Sequence, residues 1–136
     1  IINKSKIQLY NYGNHRRDFT YIDDIVEGII CILREPAKPN NDFDLNNPDP
    51  GSSNAPWRIY NIGSNNMIEL NKYIDILESE LGIEAIKELI PIQPGDLKDT
   101  YADVNSLIKD FKYQPKTTIE EGVAKFAEWY LAYYKQ

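Results

Sequence analysis

A chain of 136 residues with a net charge of −6 and a sequence pI near 4.8 has room for one domain and one site. It lacks the basic face that a nucleic-acid partner requires. One cysteine excludes an internal disulfide, and one cysteine with one histidine does not furnish a zinc or iron–sulfur site. Both counts suit a reducing cytoplasm. No apolar run approaches the roughly 20 residues that span a bilayer, and no signal-peptide pattern opens the chain. The opening Ile-Ile-Asn-Lys-Ser-Lys is read instead as the interior of a longer sequence.

Taken in chain order, residues 7–12 form a β-prone run stopped by Gly13-Asn14. A polar loop with Arg16 and Arg17 follows, then an extended piece at 18–21 and a helix over 24–33. Asp24 stands three residues before Glu27, the spacing of a capping box, and this pair is read as fixing the start of that helix. Its apolar residues, Ile25, Val26, Ile29, Ile30, Cys31, Ile32 and Leu33, surround it almost completely, which predicts cover on more than one side. Cys31 is expected to be an inert core thiol.

Five of the eight prolines fall within residues 35–56, so that stretch is neither helix nor central strand. A loop this long is either a variable excursion or a lid. Residues 57–62 read as a strand, turned by Gly63-Ser64-Asn65-Asn66. Leu70, Tyr73, Ile74, Leu77 and Leu81 recur at helical spacing before Gly82, predicting a helix with a glycine stop. Residues 86–92 read as a strand that delivers Gln93 and the turn Pro94-Gly95-Asp96 to a sheet end. Asp103 is expected to cap a short helix carrying Val104, Leu107, Ile108 and Phe111. Thr118-Ile-Glu-Glu121 is a capping box for a last helix, with Ile119, Val123, Phe126, Tyr130 and Tyr133 on one face. The alternation implies an α/β domain spanning 1–136, with few short strands, about four helices, and a site at the strand ends.

Four segments carry a resemblance, in the same order: Tyr-Asn-Tyr-Gly followed by Arg-Asp-Phe-Thr-Tyr-Ile-Asp-Asp-Ile-Val-Glu-Gly, residues 55–63, residues 93–103, and residues 115–130. Together they resemble the C-terminal substrate-binding part of Rossmann-type, NAD(P)-binding extended short-chain dehydrogenase/reductases, and most of all the UDP-glucuronate 4-epimerases. The resemblance implies an enzyme that takes hydride from C4 of the hexuronate onto NAD, turns the 4-keto intermediate over, and returns hydride to the other face. It also implies a cytoplasmic homodimer that supplies sugar nucleotides for polysaccharide biosynthesis.

Two features of that family are missing. The seven glycines are too scattered for a dinucleotide fingerprint, and none of the ten tyrosines stands four residues before a lysine. The chain is therefore expected to bind the UDP-sugar while lacking catalytic and NAD-binding residues, and to be inactive alone. Arg17 corresponds to the diphosphate arginine, with a surface pair to Asp18 or Asp23 as the alternative. The main chain at Tyr10 and Asn11 corresponds to the uracil contact, where strand pairing alone would serve as well. Gln93 and Asp96 correspond to the nucleotide contacts, a carboxylate suiting the donor hydroxyls of a ribose, unless Asp96 is simply a turn residue. Arg16 is read either as a second diphosphate contact or as merely solvated, His15 as polar surface, and the aromatic cluster around Trp129 as packing. A UDP-sugar decarboxylase, dehydratase or other 4-epimerase, or a stand-alone nucleotide-sugar-binding module, remains open. Loss of a covering domain would leave apolar surface, so the chain is expected to self-associate.

Overall fold

The computed structural model describes residues 1–134. Strand β1 (Lys6–Leu9) runs into a 3-10 turn (Tyr10–Gly13), then β2 (Arg16–Asp18) and helix α1 (Ile22–Arg34). After the long loop come β3 (Met67–Glu69), α2 (Leu70–Leu81) and β4 (Ile86–Leu89). Helices α3 (Asn105–Phe111) and α4 (Ile119–Tyr134) complete an α/β architecture of four helices and four short strands among the described residues. β1 pairs parallel with β4, from Lys6 opposite Ile86 to Leu9 opposite Leu89. β2 pairs antiparallel with β3, Arg17 standing opposite Ile68.

Local chemistry explains the helix ends that hold the frame. Gly82 adopts φ +64°, and its N–H reaches back to the carbonyls of Glu78 and Ser79 at the close of α2. At the start of α4 the Glu121 N–H donates to Thr118 Oγ1 at 3.2 Å, and Glu121 Oε2 accepts from the Thr118 N–H at 3.4 Å. α2 and α4 then pack together, with Ile74, Val123 and Ala127 buried and Lys72 paired to Glu120 at 2.8 Å. Leu9, Ile68, Val104, Leu107 and Tyr113 extend this core beneath the strands. Each fully buried aliphatic chain contributes about 1.5–3 kcal/mol.

Several expectations are corrected. Asp24 does not cap α1, whose N-cap is Tyr21 without a side-chain bond; it is buried and accepts from the N–H groups of Lys116 and Thr117 at 3.2 and 3.1 Å. Residues 57–62 are not a strand, because they turn onto their own loop. The Trp57 N–H donates to the Ala55 carbonyl, the Ile59 N–H to the Gly51 carbonyl, and Ser52 and Arg58 share a lone bridge. The run predicted as strand 7–12 ends at Leu9, since Asn11 and Tyr12 take φ +50° and +55°. Asp103 bonds the Asn105 N–H, but the helix starts with Val104 as N-cap. Cys31 is only half-buried.

The 35–56 loop is knitted to itself. Asn40 Nδ2 donates to Ser52 Oγ, buried Ser52 donates to Asp49 Oδ2 at 2.6 Å, and the Asn40 N–H reaches the Ser53 carbonyl. α1 is left uncovered on its apolar side: Ile22, Val26, Ile29, Ile30 and Leu33 are 41–73% exposed. On α4 the inward face is Val123 and Ala127, while Phe126, Trp129, Tyr133 and Tyr134 are exposed and stack on one another, Trp129 and Tyr133 at 5.4 Å between centroids.

Candidate functional site

Two pieces of chain some eighty residues apart meet at the site: His15–Arg17, entering and forming β2, and the turn from Gln93 to Thr100. The main chain joins them first. The Arg16 N–H donates to the Lys98 carbonyl at 3.1 Å and the Thr100 N–H to the Arg16 carbonyl at 3.2 Å, a short parallel pairing centred on Asp99. Extended backbone sends successive side chains to opposite faces. His15 and Arg17 accordingly turn toward residues 96–98, and Arg16 toward Asp99.

Arg16 grips Asp99 with both arms, Nε to Oδ1 at 2.9 Å and Nη2 to Oδ2 at 2.7 Å. The hydrogen bond from Arg16 is the main reason that the Asp99 carboxyl lies below the usual carboxylate range, and the Arg16 pKa is raised in return. Arg17 is committed differently. Its Nη1 donates to the carbonyls of Arg16 and Lys98 at 2.9 and 2.8 Å, and its Nη2 to the Leu97 carbonyl at 2.8 Å. A longer contact of 3.4 Å reaches Asp96 Oδ1. Neither Asp18 nor Asp23 is the partner of Arg17. Asp18 instead accepts from the N–H and hydroxyl of Ser64 at 2.8 and 2.6 Å, tying β2 to the turn after residue 63.

His15 is not polar surface, as its sequence context suggests, but 3% exposed. Its Nδ1 lies 3.1 Å from both the Leu97 and the Lys98 carbonyl oxygens, and its Nε2 lies 3.4 Å from Asp96 Oδ2. Carbonyl oxygens only accept, so Nδ1 carries a proton. Arg17 and His15 thus address the two oxygens of one carboxylate, Asp96.

Of the five expected nucleotide contacts, Arg17 and Asp96 touch directly, and the Asp96 N–H bonds the Gln93 carbonyl at 3.1 Å, which puts Gln93 on the same turn. Tyr10 and Asn11 occupy the left-handed turn after β1. It is tied to the exit of β4 by the Tyr12 N–H on the Ile90 carbonyl at 3.0 Å. Gly13 closes that turn at φ +81°, where glycine is favoured, and a Cβ there would lie 2.6 Å from Asn71 Oδ1 and displace that side chain. The Asn11 side chain donates to the Asn14 carbonyl at 2.8 Å and the Tyr10 hydroxyl to Gln8 at 3.3 Å. Beside the turn lies a polar cleft of about 630 Å³, lined by Asn11, Asn14, His15, Arg16, Glu69 and Lys98 among others. Asp99 carries no local sign of its role in the sequence, and His15 carries the sign of a surface residue.

No group of His, Cys, Asp or Glu able to hold a metal occurs among the described residues. The first turns of α1 and α4 carry Asp23 and Asp24, and Glu120 and Glu121, which repel a pyrophosphate. These helix ends therefore do not fit a dinucleotide.

Residues 1–63 match the model of the NAD dependent epimerase/dehydratase family. The whole chain is 48% identical over 136 residues to the protein CapI of Staphylococcus aureus, covering 41% of that protein. It is 36% identical over 137 residues to the "Probable UDP-glucuronate 4-epimerase" of Rhizobium meliloti (strain 1021), covering 40% of it. In fold it resembles the UDP-glucuronic acid 4-epimerase of Bacillus cereus in complex with NAD, with a TM-score of 0.72 and 23% identity over 98% of this chain and 36% of that one. The chain thus spans about two fifths of the length of the Staphylococcus aureus and Rhizobium meliloti proteins.

Proposed function

From the premise that this chain belongs to the NAD dependent epimerase/dehydratase family, we propose that it is the nucleotide-sugar-binding portion of an NAD-dependent epimerase acting on UDP-glucuronate. The Bacillus cereus enzyme has been seen with UDP-glucuronic acid and NAD together. The observation that carries the reading is the convergence of Arg17, His15 and Asp96 from segments some eighty residues apart. Arg17 presents a charge fixed by three carbonyls, and its Nη2 exchanges the long 3.4 Å contact with Asp96 for a diphosphate oxygen. Asp96, held from one side, turns its remaining lone pairs to the ribose hydroxyls. Gln93 and the main chain of Tyr10 and Asn11 complete the grip on uridine.

A hexose that must present both faces needs a fixed anchor, so the tight binding belongs on the nucleotide. That is this chain's share. NAD, the proton-transferring tyrosine and the dinucleotide loop are assigned to residues outside this sequence, and the chain alone is expected to be inactive. The uncovered side of α1 is where such a nucleotide domain packs. The whole protein is read as a cytoplasmic homodimer that feeds polysaccharide biosynthesis.

Isothermal titration of the protein with UDP, UDP-glucuronate and NAD tests this. UDP and UDP-glucuronate should bind, and Arg17→Ala should weaken both by roughly ten- to a hundredfold, the loss of a charge-assisted phosphate contact. Unchanged affinity in Arg17→Ala would remove the diphosphate from that residue.

A further inference from the structure

We propose that His15 is a positioning residue for the nucleotide anchor: its proton on Nε2 bonds and aims the Asp96 carboxylate, so that nucleotide affinity follows the charge of a buried histidine. This rests on the reading of Asp96 as a nucleotide ligand and adds to it a residue and a pH dependence.

The His15 Nδ1–H is spent on the carbonyls of Leu97 and Lys98, both at 3.1 Å. That fastening fixes the ring plane and the tautomer together. Nε2 is buried without a hydrogen-bond partner, and the nearest charged atom is Asp96 Oδ2 at 3.4 Å. If His15 is neutral, a lone pair on Nε2 faces a carboxylate oxygen, two acceptors with no proton between them. A second proton turns that repulsion into an ion pair and removes the one buried unsatisfied side-chain atom among the described residues. The 3.4 Å separation is longer than a formed N–H···O bond. It closes on protonation.

The other charges around the ring leave this geometry to Asp96. Arg17 engages Asp96 at its other oxygen, so the carboxylate is bracketed rather than competed for. Arg16 on β2 faces away to Asp99. Glu69 on β3 and Lys98 on the facing turn share the cleft with His15, an anion and a cation whose effects on the ring oppose each other. Once Arg17 turns Nη2 to the diphosphate, protonated His15 is the group that still holds Asp96, leaving the remaining lone pairs for two donor hydroxyls. Loss of the Nε2 proton frees one side of the carboxylate, and the preorganisation is lost with it. Affinity for the nucleotide therefore falls as pH rises through the histidine titration.

The experiment uses 15N-labelled histidine and UDP-glucuronate, whose diphosphate is esterified at both ends and does not titrate near neutrality. His15 is the one histidine of this sequence, and its ring signals are assigned by their loss in His15→Gln. Ring shifts and UDP-glucuronate affinity are followed between about pH 5 and 8, the interval of histidine titration. Nδ1 should stay protonated throughout, and Asp96→Asn should alter the Nε2 signal. Affinity should fall roughly three- to tenfold with the same midpoint as the ring signals. His15→Gln, which can donate to Asp96 without titrating, should bind with no such pH dependence.

Ring signals indifferent to Asp96→Asn would overturn the pairing, and a flat affinity across the ring midpoint would overturn its consequence. Should the wild-type protein bind no UDP-glucuronate at any pH, the nucleotide reading fails and the binding consequence with it. The His15–Asp96 pairing is then decided by the ring signals of the unliganded protein alone.

Discussion

Asp24 shows how a residue can be legible in type and not in role. An acid in the first turn of a helix, three residues ahead of Glu27, has the local signature of a cap, yet its oxygens take the N–H groups of Lys116 and Thr117, as far as 93 residues away. It is a staple between α1 and the segment that launches α4. Replacing it by alanine leaves two main-chain donors short of an acceptor at a site 4% exposed. The expected cost is about 1–3 kcal/mol of folding stability, read from urea denaturation midpoints, with Asp24→Asn keeping part of it. A loss no larger than a surface substitution gives, within about 0.5 kcal/mol, would demote the staple to an ornament. The candidate site divides in the same way. Arg17 and Asp96 could be singled out through the short motifs that carry the family resemblance. His15 could not, because burial is conferred by residues 97 and 98, and nothing within a few positions of it announces their approach.

Among the elements, α2 and α4 were legible because their signals are local: apolar spacing, a Gly82 stop, and the Thr118–Glu121 box. Residues 57–62 have strand-like composition, but a strand is defined by a neighbour, and theirs is only Ser52 and Gly51 of the adjoining loop. Side chains anchor this run instead. The Tyr60 hydroxyl donates to Asp110 at 2.7 Å on α3, and Tyr113 reaches back to the Gly63 carbonyl at 3.4 Å. Burial pushes both phenols up to about 12, with Asp110 adding its hydrogen bond and charge at Tyr60, and Asp24 and Glu27 their charge at Tyr113. A free tyrosine loses its proton near 10, so above that pH the unfolded chain ionises first. The stability these two groups contribute is whole below about pH 10 and drains away as pH rises to about 12. Thermal midpoints measured across that interval should fall less steeply in Tyr60→Phe and Tyr113→Phe than in the wild type. Parallel curves would mean that neither phenol is coupled to folding.

At the scale of the whole molecule the apolar surface is out of proportion to the core. Among the described residues eight apolar side chains are buried, whereas α1 alone leaves Ile22, Val26, Ile29, Ile30 and Leu33 substantially exposed. A stripe of this kind on one helix is not the scattered exposure ordinary to soluble proteins; it is a face built to be covered. In the proposed function the cover is a nucleotide domain. A solution of this chain alone offers only other copies of itself, so the apolar effect that would seat the domain should drive self-association. Sedimentation of the 136-residue chain is expected to show species that grow with concentration, together with strong binding of a hydrophobic dye. Ile29→Glu with Leu33→Glu places two charges on the stripe without touching the packed pair of α2 and α4, and should suppress both signals while leaving the helical circular dichroism unchanged. The exposed aromatic ladder on α4 supplies the control: Trp129→Glu alters a face whose rings already cover one another, and should reduce association less than the α1 pair does. A chain that stays monomeric at high concentration and binds no dye would mean that α1 needs no partner, and the packing assigned to it would have to be withdrawn.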